Sequence, residues 1–137
     1  ARPGMLPTPL PANITALSAM PENDYWQLLS ACRGLVLAVH DLAYPSGQTV
    51  LLQAMAMGKP CVITATPALV DYLPIDGVLT TPRTGDAKLL ADSVLRLESD
   101  EELRHRLGSA ARSFVKQRCN EKMMWAGIIR SVREVCP

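Results

Sequence analysis

The chain has 137 residues, a net charge of +1 and four cysteines. That length fits one domain with a single core. So balanced a charge argues against a nucleic-acid or anionic-membrane surface. No run of like charges marks a tail, and every long apolar stretch is interrupted well short of a bilayer span. No basic-then-apolar segment opens the chain, so no secretory signal is read and a cytoplasmic protein is expected. Cys32, Cys61, Cys119 and Cys136 have no CxxC spacing. Two disulfides fit the count, but small buried thiols are the preferred reading. His40 and His105 have no companions at metal-ligand spacing, and no metal or cofactor is expected.

The charges are uneven. Only six precede residue 61, and the other 21 follow it. The first part is therefore expected to be the buried side of a layered fold, and the end a set of amphipathic surface helices. Residues 1–13 open with a Pro-rich stretch, which reads as an extended segment. "ITALS" (14–18) is a short strand candidate. "PENDYWQLLSACRG" (21–34) begins with capping residues and has helical apolar spacing, and Gly34 can end it. "LVLAV" (35–39) is a continuous apolar run, as in strands buried on both faces.

"SGQTVLLQAMAMGKP" (46–60) follows. Thr49 to Met57 predicts a helix, with Gly58 as its left-handed terminator and Pro60 beyond it. The helix is apolar nearly all round, so it is packed on most sides. Gln53 is its one interior polar residue; it bonds either to the protein or to a ligand, and Thr49 shares its face. Ser46, Gly47 and Gln48 connect a buried strand to a helix start. That arrangement suits a phosphate, because helix starts offer free amides and a positive dipole. An ordinary strand–loop–helix connection with Ser46 as cap fits the same residues.

"CVIT" (61–64) and "GVLTT" (77–81) are further strands, separated by a short helix candidate at "PALVDYL" (67–73). The alternation predicts βαβ units. Asp86 caps a helix through Glu98 with Leu90, Val94 and Leu97 on one face. "SDEE" (99–102) reads as a capping box built on Ser99 and Glu102. It starts a helix with Leu103, Leu107, Ala110 and Phe114 inward. His105 falls on the solvated side of that helix. Asn120 caps a last helix whose inward face is Trp125, Ile128, Ile129, Val132 and Cys136.

Four stretches carry a resemblance: 21–39, 46–64, 76–115 and 120–135. In order, they resemble the carboxy-terminal, donor-binding domain of retaining glycosyltransferases of the two-Rossmann (GT-B) architecture, most closely family 4, the group 1 glycosyltransferases. The implied fold is a Rossmann-like three-layer α/β/α domain with a mostly parallel sheet, over residues 14–137. The implied function is binding a nucleotide-sugar and transferring its sugar to an acceptor. The alternative is a non-catalytic nucleotide-binding or assembly module of the same fold.

By this resemblance the nucleotide-sugar would meet Ser46, Gly47, Gln48, Thr49, Val50 and Gln53, with Met20 near the base. Asp71 falls at an acidic family position, with a solvent-facing role as its alternative. The family motif has glutamates where this chain has Pro45 and Gln53. The resemblance also implies that "ITALS" is strand three and "LVLAV" strand four of a sheet ordered 3-2-1-4-5-6. The first two strand–helix units have no counterpart here, which leaves a gap in the middle of the sheet. A missing amino-terminal acceptor domain or partner chain is therefore expected, and membrane contact only through that missing part. The resemblance implies no bound metal and assigns no catalytic side chain.

Overall fold

The computed structural model describes residues 9–17, 19–40, 46–67, 69, 76–81 and 85–136. The chain forms two compact units, Ala1–Ala31 and Cys32–Pro137.

In the first unit, helix α1 spans Glu22–Ala31. Tyr25 N donates to the Pro21 carbonyl at 3.1 Å, closing the first turn. Trp26 Nε1 donates to Glu22 Oε1 one turn back. Leu29 is the helix's buried residue. The strand expected at 14–18 does not form over 14–17; Ser18 lies outside the described residues. Ile14 N is taken instead by the Pro11 carbonyl at 2.9 Å, in a turn. Ile14 and Leu17 stay exposed. A β-branched run needs a partner strand to become one, and none of the described strands pairs with it. Ile14 and Leu17 are thus not on the buried side that the scarcity of charge before residue 61 suggested, whereas Leu51, Ala54 and Met55 are fully buried.

The second unit is built on β1 (Leu35–Leu37), β2 (Cys61–Thr64) and β3 (Val78–Thr81). They form a parallel sheet in the order β1-β2-β3. Val36 pairs with Val62, and Val62 with Leu79. Alternate residues face opposite sides, so the register sorts the packing. Val62 joins Leu97, Leu103 and Leu107 in one core cluster, with Leu79, Leu90 and Val94 against it. Leu37 and Ile63 share the other face. There the Leu37 side chain meets Gly47, at the start of the next helix.

Helix α2 (Gln48–Ala56) thus lies on one face, and α3 (Ala87–Ser99) on the other. Helix α4 (Glu101–Arg118) packs against both α2 and α3. The unit is α/β, with helices flanking a parallel sheet. Among the described residues β1 pairs only with β2. It is three residues long rather than five, and Val36 is 45% exposed. An edge strand has no second neighbour to extend its ladder.

The α2 stop is as expected: Gly58 has φ +72°, and Gly58 N donates to the Met55 carbonyl at 2.9 Å. Asp86 caps α3 through Leu89 N, and Asn120 caps α5 (Glu121–Val135) through Met123 N. Two expectations are corrected. Ser99 is not the α4 cap; it is the last residue of α3, and Asp100 Oδ1 accepts from Leu103 N at 2.8 Å. The carboxylate stands three residues before that amide, the spacing a cap requires. On α4 the buried positions are Leu103, Leu107, Gly108 and Ala111, while Ala110 and Phe114 are half-buried. The other correction concerns α5. None of its residues is buried, so its expected inward face points outward. Of "PALVDYL", Pro67 and Leu69 are described, and both are 3₁₀.

Candidate functional site at the carboxyl edge of the sheet

The sheet is parallel, so all three strands deliver their following loops to one edge. Ligands of open α/β sheets bind at this edge. Gly47 fixes where α2 begins. It has φ +80°, a conformation that a side chain makes costly, and makes no side-chain cap. A Cβ there would lie 2.8 Å from Leu37 Cδ2. The helix start is therefore pressed against the last residue of β1. Leu51 N donates to the Gly47 carbonyl at 3.0 Å. The first amides of a helix have no carbonyl a turn earlier within it, and a helix start carries the positive end of the dipole.

The structure brings six of the expected site residues together on this element. Ser46, Gly47, Gln48 and Val50 are half-buried, and Thr49 is exposed. Gln53 is half-buried, one turn after Thr49. Met20 is half-buried in the first unit, ahead of α1. Pro45 and Asp71 lie outside the described residues.

Sequence reasoning missed a second feature of this edge. A cavity of about 200 Å³ opens on the α3 face, lined by His40, Thr64, Thr81, Asp86 and Leu90 among others. Thr64 and Thr81 end β2 and β3 and are buried. Thr81 Oγ1 donates to the Ile63 carbonyl at 3.3 Å. The signal was present: "CVIT" and "VLTT" both end in threonine. Hydroxyls thus stand where the strands stop. His40 follows β1 on the same side.

Among the described residues no cluster of His, Cys, Asp and Glu is arranged to hold a metal. None of their helices is long and apolar enough to cross a membrane. No disulfide joins the cysteines. Cys61 is buried, Cys32 and Cys119 are half-buried and Cys136 is exposed, so burial holds for part of the set only. Desolvation, with a contribution from Cys32, pushes the Cys61 thiol up to about 12.

Fold and site define a parallel α/β protein with a backbone-lined helix start at the carboxyl edge of its sheet. Residues 6–114 match the family described as "Glycosyl transferases group 1". The chain belongs to that family, whose members transfer a sugar from a donor. No curated protein and no solved structure matches the chain.

Proposed function

We propose that the chain is the donor-binding, carboxy-terminal half of a GT-B glycosyltransferase of family 4, and that its donor is a nucleotide-sugar. The observation that carries this reading is the start of α2. It is uncapped by a side chain and held on Leu37 at the ligand edge of a parallel sheet.

When the sugar leaves, negative charge collects on the diphosphate. Backbone amides at a helix start hold that charge without reorganising, which is how such a site lowers the barrier. These donors belong to the main chain around Ser46–Val50. They are indifferent to the absence of acidic side chains. Gln53 lies deeper along the same helix, where its carbonyl can accept a ribose hydroxyl and its amide can donate. Catalysis is then positioning plus stabilisation of the leaving group.

The exposed apolar face of α5, with Trp125, Ile128, Ile129 and Val132 each 44–55% exposed, supports a partner surface there. We assign it to an acceptor domain or partner chain. One observation favours the non-catalytic alternative. Gln53 lacks the negative charge that would strengthen a ribose contact.

The test is a titration with UDP, GDP and ADP, following the amides of residues 46–53. A saturable shift with one of them is expected, weakened by Gln53→Ala. No response to any would overturn the donor site. A response that Gln53→Ala leaves unchanged would remove Gln53 from the ribose role.

A further inference from the structure

At the opposite, amino edge of the sheet lies a second concavity, of about 390 Å³. Arg33, Lys59, Arg104, His105 and Arg112 line it. No aspartate or glutamate is among its described lining residues.

Two of these basic groups are held by backbone carbonyls. Lys59 Nζ donates to the Cys32 carbonyl at 2.9 Å, just past α1. Arg104 Nη1 donates to the Leu97 and Glu98 carbonyls at 2.8 and 2.6 Å, in the last turn of α3. Such bonds fix the groups but remove no charge. Arg33 pairs with Glu98 and is neutralised in part. Arg112 and His105 close no helix end. Neither has a hydrogen-bond or ion-pair partner among the described residues.

The floor is made of backbone. A Cβ at Gly108 would fall 2.1 Å from the Gly58 carbonyl oxygen, and one at Gly58 would reach Arg112 Cδ at 3.8 Å. With no side chain at 58 or 108, the basin between the cations stays open. Positive charges anchored round a concave surface concentrate the field and lose little freedom when they bind.

We propose that this basin binds a phosphate-bearing anion at a site separate from the donor loop. Lys59 and Arg104 form its fixed walls, and Arg112 and His105 supply the uncommitted donors. Inorganic tripolyphosphate is the probe, read on the amides of residues 57–59 and 104–112 of the whole chain. Saturable shifts there are expected. They should weaken about three- to tenfold in Arg112→Ala, since one charge-assisted contact is lost, and further in Arg112→Glu. Higher salt should weaken them too.

Both substitutions are at an exposed position, and unchanged thermal unfolding separates lost binding from lost folding. Co-sedimentation with vesicles of phosphatidylcholine and phosphatidylglycerol, three to one, tells the sources apart. Arg112-dependent pelleting assigns a lipid headgroup. Tripolyphosphate shifts without pelleting assign a free phosphate compound. Absence of both overturns the proposal, as does binding that Arg112→Glu leaves unchanged.

Discussion

Gly47 stands against the side chain of Leu37 so closely that a Cβ would lie 2.8 Å from Cδ2 and 2.9 Å from Cδ1. Two constraints meet at this glycine. Its φ of +80° disfavours any side chain, and the space for one is taken. Gly47→Ala is expected to lose about 1–2 kcal/mol to the left-handed backbone and about 1–3 kcal/mol more to overpacking. Urea unfolding measures the total. Leu37→Ala in the same chain should recover the second part and leave the first. If the double variant is no less destabilised than additivity predicts, the contact does not set the position of α2.

Glycines 108 and 85 separate the same two effects. Gly108 lies within α4, where alanine is the better helix former by about 1 kcal/mol. Yet its Cβ would meet the Gly58 carbonyl oxygen, a backbone atom, at 2.1 Å. Gly108→Ala should therefore destabilise by about 3 kcal/mol or more, because α2 and α4 must part. Gly85 has φ +85°, and a Cβ there would have nothing within 4 Å. Gly85→Ala should cost only the backbone strain, about 1–2 kcal/mol. Thermal unfolding of the pair distinguishes them. A neutral Gly108→Ala would contradict the close crossing.

What the sequence discloses follows from the range of the interaction. The α2 stop at Gly58 and the caps Asp86 and Asn120 are local: each needs one residue at a fixed offset, and each was legible. Ser99 and Asp100 are adjacent cap candidates, and only the geometry picks the aspartate. Residues 14–18 and β1 read as apolar strands, but a strand's extent depends on neighbours elsewhere in the chain. The amphipathic period of α5 marks a face without saying what covers it. The Gly58–Gly108 approach has no signature in sequence, since it joins two helices far apart along the chain. At the site, the α2 start was legible as strand–loop–glycine–helix. The cavity over Thr64 and Thr81 was not, because it takes three strand ends to enclose it.

Substitution at the α3–α4 junction tests the corrected cap. Asp100→Ala removes the acceptor for Leu103 N and should cost about 1 kcal/mol. Ser99 donates its hydroxyl to the Arg96 carbonyl at 3.3 Å and is exposed. Ser99→Ala should stay within about 0.5 kcal/mol of the parent. The reverse order in denaturant midpoints would restore the capping box to Ser99.

Cys61 links stability to alkaline pH. Burial first, then Cys32, raises its folded value to about 12 from the ordinary 9.0. The unfolded thiol therefore loses its proton first as pH rises. Between pH 9 and 12 the unfolded state binds fewer protons than the folded state, so stability falls as pH rises by up to about 1.4 kcal/mol per unit from this group. Below pH 9 both states hold the proton and the effect vanishes. Unfolding followed from pH 8 to pH 11 should show a steeper decline in the parent than in Cys61→Ala. Parallel curves would mean that the thiol is not buried as described. Alkylation at pH 8 should favour exposed Cys136 over Cys61, since the thiolate is the reactive form.

Helix α5 provides a contrast between pattern and packing. Ile128 belongs to an apolar stripe with Trp125 and Val132, but it is 44% exposed, and no residue of its helix is buried. Leu107 on α4 is 3% exposed and packs on Val62 with Leu97 and Leu103. Leu107→Ala should destabilise by about 2–5 kcal/mol, the range for emptying a core site. Ile128→Ser should change stability by about 0.5 kcal/mol or less, as at other surface positions. The measurement is urea unfolding of each chain by itself. An Ile128→Ser loss matching that of Leu107→Ala would place α5 in the core of its own unit and withdraw its face from the surface assigned to an acceptor domain or partner chain.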